Sequence, residues 1–430
     1  MKPEQDIIEH EPGMFPGKVV PSSVSESGSE GQTAHVSERH IAGHHSVLSR
    51  TSQIVEQVVP RSLRQPELDA LRGLLLLWMT LTHLPTKVSE WANQPFGFVS
   101  AAEGFVFLSA LLTGKLHGRL LEANPAMLRA KLWGRALRVY GYHLSLLAFA
   151  FTVGASLAEF LRRPMLHNLL DFYFAHPVVA VLSSLLLIYC PPLLDILPMY
   201  VLFLLFTPFL LLGTRRLGWP VVLKLSWFVW IAAQFGLRKE LYLWLSYLTH
   251  RNIPMQAMGA FNLFAWQFLW VAGIWVGARI AAGRNPMDRI PRYVYPWAVG
   301  LAVIFACLRR DVPVDWFNSG RYASLQDKWS LGPLRLLDFL CIGLLLWAGR
   351  SWLKRSLSWK PLSELGKSSL QVFSAHVIFV FIGLALIYED AGEQVEGWEA
   401  RLLILGTLIG LFSIALLWKR NKRKTVSTQS

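Results

Sequence analysis

The sequence predicts an all-α polytopic membrane protein with about ten transmembrane helices, one re-entrant or surface-lying helix, and both termini in the cytoplasm. Hydrophobic residues make up 53% of the 430-residue chain and charged residues only 16%, which is too apolar for a soluble domain of this size. The apolar residues form blocks of the length needed to cross about 30 Å of hydrocarbon. Eighteen Trp residues suit membrane–water interfaces, where amphipathic rings are favoured.

The formal net charge of +14 comes from basic residues that cluster in short loops between the apolar blocks. This distribution is typical of positive-inside orientation and of contact with anionic headgroups, so we expect a lipid bilayer and no nucleic acid as partner. The three cysteines, Cys190, Cys307 and Cys341, lie far apart in apolar surroundings. Their spacing predicts neither a disulfide framework nor a metal site.

Three regions follow from the composition of the chain. Residues 1–60 are polar, rich in Ser, His, Glu and Gly, and have no apolar period, so we expect a disordered cytoplasmic tail. Residues 61–418 hold the apolar blocks and form the predicted transmembrane domain. Residues 419–430 begin with the basic run KRNKRK and are predicted to be a second cytoplasmic tail.

The first two spans, 71–85 and 98–116, are predicted to form a hairpin. The loop that follows is the most basic of the chain, with Lys115, Arg119, Arg129, Lys131, Arg135 and Arg138. Because short loops rich in Lys and Arg stay in the cytoplasm, this loop places the start of the first span inside as well. Span three is predicted at 139–160.

The apolar segment 176–192, interrupted by Pro191 and Pro192, is predicted not to cross the membrane. If both it and 196–212 crossed, every later basic loop would face outward; if only 196–212 crosses, each of them is cytoplasmic. We therefore predict a re-entrant or surface-lying helix buried against protein. The remaining spans are predicted at 219–236, 262–281, 294–308, 333–350, 369–388 and 401–418.

The outer loop 309–332 combines aromatic and polar residues, including Trp316 and Trp329. Aromatic faces for stacking and polar groups for hydroxyls would suit a sugar, so both tryptophans are candidate acceptor-binding residues. An ordinary amphipathic loop explains the same pattern equally well.

The two ionisable residues of the first hairpin, His83 and Glu103, are the candidate catalytic pair. Ionisable groups inside membrane segments are costly and mark functional sites. Pro85 and a polar turn follow His83, which makes it accessible from the outer half of the membrane. An imidazole can remove a hydroxyl proton, and a neighbouring carboxylate would fix its tautomer. A lone intramembrane His can instead bond to another helix. Ser109 lies two turns from Glu103, without a nucleophile elbow, and is a candidate substrate contact rather than a nucleophile.

Asp69 and Arg72, near the inner end of span one, can pair with each other at i,i+3 spacing. Alternatively, Arg72 joins Arg135 and Arg138 in binding an anionic donor from the cytoplasm, because guanidinium groups suit phosphates and carboxylates. Asp69 is then a candidate substrate contact. His376, placed nearer the inner face, is predicted to contact substrate or to serve packing.

The motifs ELDALRGLLLLWMTLTHLP, QPFGFVSAAEGFVFLSA, RALRVY and LGKSSLQVFSAHV resemble the OpgC family. These are bacterial inner-membrane proteins that succinylate osmoregulated periplasmic glucans, within the acyltransferase type three superfamily. The resemblance extends from about Arg64 to Trp418. In the wider superfamily a His in the first span is the proposed catalytic base, and the matching position here is His83. The acidic residue of the family matches Glu103, and its Arg-x-x-Arg matches Arg135 and Arg138. Ala110 stands where Gly commonly follows the serine.

The resemblance implies a cytoplasmic acyl-CoA donor, succinyl-CoA or another acyl-CoA, a periplasmic glucan acceptor and no bound cofactor. The competing hypothesis is a transporter or flippase that uses the His and Glu pair as a proton relay. Against it, the two halves of the chain show neither an internal repeat nor matching broken helices.

Overall fold

The computed structural model describes residues 65–118, 120–249, 253–311, 323–387 and 394–427. These residues belong to the unit Ser62–Ser430, and the predicted N-terminal tail lies outside the described residues. The first helices are α1 (Pro66–His83), α2 (Lys87–Ala92), α3 (Ala101–His117), α4 (Leu120–Ala123), α5 (Pro125–Phe149), α6 (Ala155–Phe160), α7 (Pro164–Leu169), α8 (Asp171–Ala175) and α9 (Pro177–Leu185).

The later helices are α10 (Ile196–Gln234), α11 (Leu237–Thr249), α12 (Leu263–Ala281), α13 (Val294–Asp311), α14 (Ala323–Gln326), α15 (Pro333–Ala348), α16 (Arg350–Ser356), α17 (Lys360–Lys367), α18 (Ser369–Ala385) and α19 (Gly397–Ser427). The described part of the chain contains no strand, and its isolated β-bridge joins Thr86 to Val395. The predicted all-helical class is therefore confirmed.

The length and composition of a helix determine whether it can cross a membrane. Four described helical stretches are long and apolar enough to cross: Pro125–Phe160, Ile196–Gln234, Met255–Ala281 and Gly397–Asn421. Two bent pairs raise this number to six if each counts as one span, α15 with α16 (75°) and α17 with α18 (88°). The chain is thus a membrane protein, with fewer spans by this measure than the ten predicted.

Helix α10 consists of two helical segments that meet at a kink at Gly218, and these segments correspond to the predicted spans 196–212 and 219–236. Gly218 inside it has φ 77°, a left-handed conformation that interrupts the helix, and Pro220 follows two residues later. A straight 39-residue helix would extend about 58 Å, nearly twice the hydrocarbon thickness. The kink at Gly218 lies between the two apolar blocks and separates one helical segment from the other.

Helix α9 lies within the predicted non-crossing segment. Its nine residues extend about 14 Å, too short to cross a bilayer. Ala180, Ser183 and Ser184 are buried, whereas Val178 and Leu182 are exposed. The helix therefore packs on the protein by its small residues and presents its larger apolar residues outward.

Close helix contacts position the segments that carry the ionisable residues. Glycines allow α3 and α12 to approach, because a Cβ at Gly277 would overlap the carbonyl oxygen of Leu111. Likewise α1 packs on α17, where a Cβ at Gly366 would overlap the carbonyl oxygen of Asp69. Helix α1 is thereby held near its N-terminal end against the element that precedes α18.

Candidate active site

His83 ends helix α1 and lies beside His376, which helix α18 carries. Their rings meet edge to edge within 24° of coplanarity, with centroids 5.4 Å apart, and Nδ1 of His83 lies 3.1 Å from Nε2 of His376. The sequence placed His376 nearer the inner face and did not pair it with His83, whereas the structure brings the two rings together.

Phe373 supports His376 from within the same helix. Nδ1 of His376 lies 2.8 Å from the Phe373 carbonyl oxygen, and the two rings meet edge-on at 4.9 Å. His376 is 1% exposed, while His83 is only half-buried. The hydrogen bond of the His83 ring uses Nδ1, and no hydrogen bond of Nε2 occurs among the described residues.

Glu103 was expected to orient His83, and in the structure its hydrogen bonds go elsewhere. Its carboxylate accepts from the backbone N–H of Ser100 at 3.0 Å and from the Ser100 hydroxyl, forming a capping box at the start of α3. Nη1 of Arg335 completes the set at 2.7 Å. Sequence alone could pair Glu103 only with its neighbouring span, because Arg335 lies 232 positions further along.

Arg335 and Asp338 are buried on α15 and were missed by the sequence reasoning. Asp338 Oδ2 accepts from the Phe98 backbone N–H at 2.7 Å, while its Oδ1 has no partner among the described residues. An arginine and an aspartate three residues apart inside an apolar block were a usable signal. They tie the start of α15 to the segment that leads into α3.

Lys328 is a further residue that the sequence did not single out. Its charge acts on His83, Glu103 and Asp195, and its ammonium group lies 4.8 Å from the centre of the Trp329 ring. Burial lowers the pKa of Lys328. Trp329 is partly exposed, as a sugar-stacking residue must be, but Trp316 lies outside the described residues.

A cavity of about 960 Å³ contains the three arginines predicted to bind an anion, Arg72, Arg135 and Arg138. Lys367 also lines it, and none of its described lining residues is acidic. The volume is at the upper end of the range of small-molecule sites. Phe373 lines the cavity too, so the cavity reaches the residue that contacts His376.

The arginines are held by neutral partners. Arg72 donates from Nη2 to the Ser369 hydroxyl at 2.6 Å, and Arg135 donates to Thr113 Oγ1 at 3.1 Å and to the Tyr200 hydroxyl. The alternative for Arg72 was a pair with Asp69, whose charge acts on the guanidinium. Hydroxyl partners leave the positive charge of Arg72 and Arg135 available to an anion.

Two points remain about the predicted site residues. Ser109 is fully buried in α3, and its hydroxyl has no partner among the described residues, so the structure does not place it in the cavity. The described residues contain no group of three His, Cys, Asp or Glu side chains arranged to hold a metal ion.

These features define a class: an all-helical membrane protein with a pair of contacting histidines and a cationic cavity. The chain belongs to the OpgC protein family, whose sequence model matches residues 64–423. No curated protein and no solved structure matches the chain.

Proposed function

We propose that this protein is a membrane-embedded O-acyltransferase that moves an acyl group, succinyl or a related one, from cytoplasmic acyl-CoA to a hydroxyl of a periplasmic glucan. Membership of the OpgC family suggests an acyltransferase-like function in glucan modification. The observation that carries the proposal is the cavity itself, which is lined by three arginines and by Phe373, the residue in contact with His376. The acyltransferase type three superfamily is part of the same proposal.

The donor would bind in this cavity with its phosphates against Arg72, Arg135 and Arg138. Guanidinium groups form paired, charge-assisted hydrogen bonds with phosphate oxygens. Arg72 and His83 share helix α1 and are eleven residues apart, which corresponds to about 16 Å along the helix. The thioester would therefore lie deeper in the protein than the phosphates, on the side of the histidines.

The chemistry assigned to His83 is general base catalysis. Nε2 of His83 takes the proton of the attacking glucan hydroxyl while the hydroxyl oxygen bonds to the thioester carbon. The carbon–sulfur bond then breaks, and the thiolate takes the proton back from His83, so that an ester and free CoA thiol leave. Lys328 supplies positive charge for the oxyanion that develops on the thioester oxygen.

The orientation follows from the basic loops. Lys367, Trp418 and Asn421 line the cavity, next to the basic loop before α18 and the basic end of α19. By the positive-inside rule, this end of the protein faces the cytoplasmic side of the bacterial inner membrane, as do both termini. The outer loops then face the periplasm. About ten crossings, with α10 counted as two, complete the proposed topology.

The test uses the purified protein with radiolabelled succinyl-CoA and a β-glucan. We expect label in the glucan with the wild type and with His143→Gln, a matched control at a buried histidine outside the pair. Label should be lost with His83→Gln. Transfer that survives His83→Gln would overturn the role of His83 as base.

The competing transporter is distinguished in the same material reconstituted into proteoliposomes. Movement of unmodified glucan across the membrane, with the CoA thioester intact, would replace the transferase by a transporter or flippase. In that case the histidine pair would serve as a proton relay.

A further inference from the structure

We infer that His376 is a positioning residue that fixes the neutral tautomer of His83, in place of the carboxylate that a triad would use. The inference rests on the proposed function for its kinetic consequence, but the tautomer itself requires no substrate. It follows from two contacts, His376 Nδ1 with the Phe373 carbonyl oxygen at 2.8 Å and His83 Nδ1 with His376 Nε2 at 3.1 Å.

The proton positions follow from the carbonyl group at one end of this chain of contacts. A carbonyl oxygen only accepts, so Nδ1 of His376 carries a hydrogen and donates it to Phe373. Nε2 of neutral His376 is then an acceptor, and Nδ1 of His83 must be the donor. Neutral His83 therefore keeps its lone pair on Nε2, the nitrogen without a partner among the described residues. The base is aimed at the substrate before the substrate arrives.

The surroundings of His376 hold it in this arrangement. Its side chain is 1% exposed, its ring packs against Phe373 at 4.9 Å, and it lies within 24° of coplanarity with the His83 ring, as a hydrogen bond between the two rings requires. When His83 takes a proton at Nε2, its Nδ1–H continues to donate to the neutral His376. This hydrogen bond stabilises the imidazolium of His83. Because His376 stays neutral, no second charge enters the membrane.

Glu103 does not compete for this role. Its oxygens are engaged by Ser100 and Arg335, so no hydrogen bond from His83 reaches them in the described part of the chain. The ring of His376 is thus the group that determines which nitrogen of His83 carries the proton.

The first test reads the tautomer by nitrogen NMR on the full-length protein labelled at histidine nitrogens, in lipid. The His83 signals are identified by their loss in His83→Gln. We expect the Nδ1–H form at His83 in the wild type, although free imidazole side chains favour the Nε2–H form. His376→Leu should move His83 toward the Nε2–H form. An Nε2–H form at His83 in the wild type would overturn the inference, whatever the protein catalyses.

The second test measures transfer kinetics. His376→Leu should lower kcat about 10- to 100-fold with an unchanged KM for the donor, a smaller loss than the ~10²–10⁴-fold expected when a base is removed. His376→Gln should recover part of kcat, since its side-chain carbonyl can accept from His83 Nδ1. His143→Leu, a matched change at another buried histidine, should leave kcat near the wild-type value.

The two tests separate the two proposals. A wild-type kcat in folded His376→Leu would overturn the positioning role while leaving the transferase intact. An Nδ1–H tautomer in a protein that transfers no acyl group would support the positioning role and overturn the proposed function.

Discussion

Nη1 of Arg335 lies 2.7 Å from Oε1 of Glu103, and the two side chains are 3% and 0% exposed. A buried ion pair of this kind costs much to bury and much more to break, because removal of one partner leaves the other charge without compensation. Glu103 also caps helix α3 through Ser100, so the pair fixes the start of that helix to α15.

Arg335→Met is expected to destabilise the protein by about 3–5 kcal/mol. The double variant Glu103→Gln/Arg335→Met should recover a large part of this loss, since Gln keeps the capping box and removes the uncompensated charge. Thermal unfolding of the detergent-solubilised protein measures both effects. A double variant as unstable as the single one would show that the charge is not the cause.

Arg138→Gln should raise KM for the acyl-CoA donor about tenfold or more, because a hydrogen bond to a charged group contributes ~1.5–3 kcal/mol. Since the lost contact forms in the ground state and the transition state alike, kcat should change little. Arg129→Gln is the control, because Arg129 is likewise exposed on α5 but does not line the cavity. Equal KM values for the two variants would argue against an anion site at Arg138.

Gly277→Ala should lower stability by roughly 1–3 kcal/mol, the typical cost of overpacking. Its Cβ would overlap the Leu111 carbonyl oxygen, which forces α3 and α12 apart. Gly134→Ala in α5 is the control, since a Cβ there meets nothing within 4 Å. Melting temperatures of the two variants decide whether close helix approach or helix propensity governs the effect.

Asp195 lies just before α10 and is expected to make stability depend on pH. Burial raises the pKa of its carboxyl from the usual 3.8 to about 6, although the Ala260 N–H donates to it at 3.1 Å. A raised folded-state pKa contributes stability that is complete below about pH 3.8 and is lost as pH rises through about 6. The melting temperature should therefore fall over this interval.

Asp195→Asn should flatten that pH dependence, because Asn keeps an acceptor for Ala260 and cannot ionise. Asp288→Asn, at an exposed aspartate, serves as the control. If Asp195→Asn leaves the slope between pH 4 and 7 unchanged, another group is responsible for it.

Apolar block length was enough to predict the helical class and the approximate position of most helices, because hydrocarbon thickness dictates that length. The spans predicted at 333–350 and 369–388 match α15 and α18. The basic residues between them were taken for a loop, whereas they form the short helices α16 and α17, which are bent away from the neighbouring spans. The pairing of ionisable residues was also beyond reach. His83 and His376 are 293 positions apart, and no local pattern connects them.

The grouping of the arginines, unlike the pairing of the histidines, was visible in the sequence. Arg72, Arg135 and Arg138 were grouped from it, and they line one cavity. Charge in short loops restricts where such residues can lie, whereas a neutral histidine carries no such signal. Glu103 shows that sequence neighbourhood can also suggest a partner that the structure does not pair with it. Its sequence neighbourhood suggested His83 as partner, and only the packing of α15 brings Arg335 to it.

Helix α1 carries Arg72 near one end and His83 at the other, with no proline between them. A helix is nearly inextensible, so the eleven-residue separation holds the backbone positions of Arg72 and His83 about 16 Å apart along the helix axis. The helix therefore fixes the spacing between these two positions. A donor whose flexible arm is shorter than this distance would be bound firmly and remain unreactive, so the protein would select donors by reach as well as by charge.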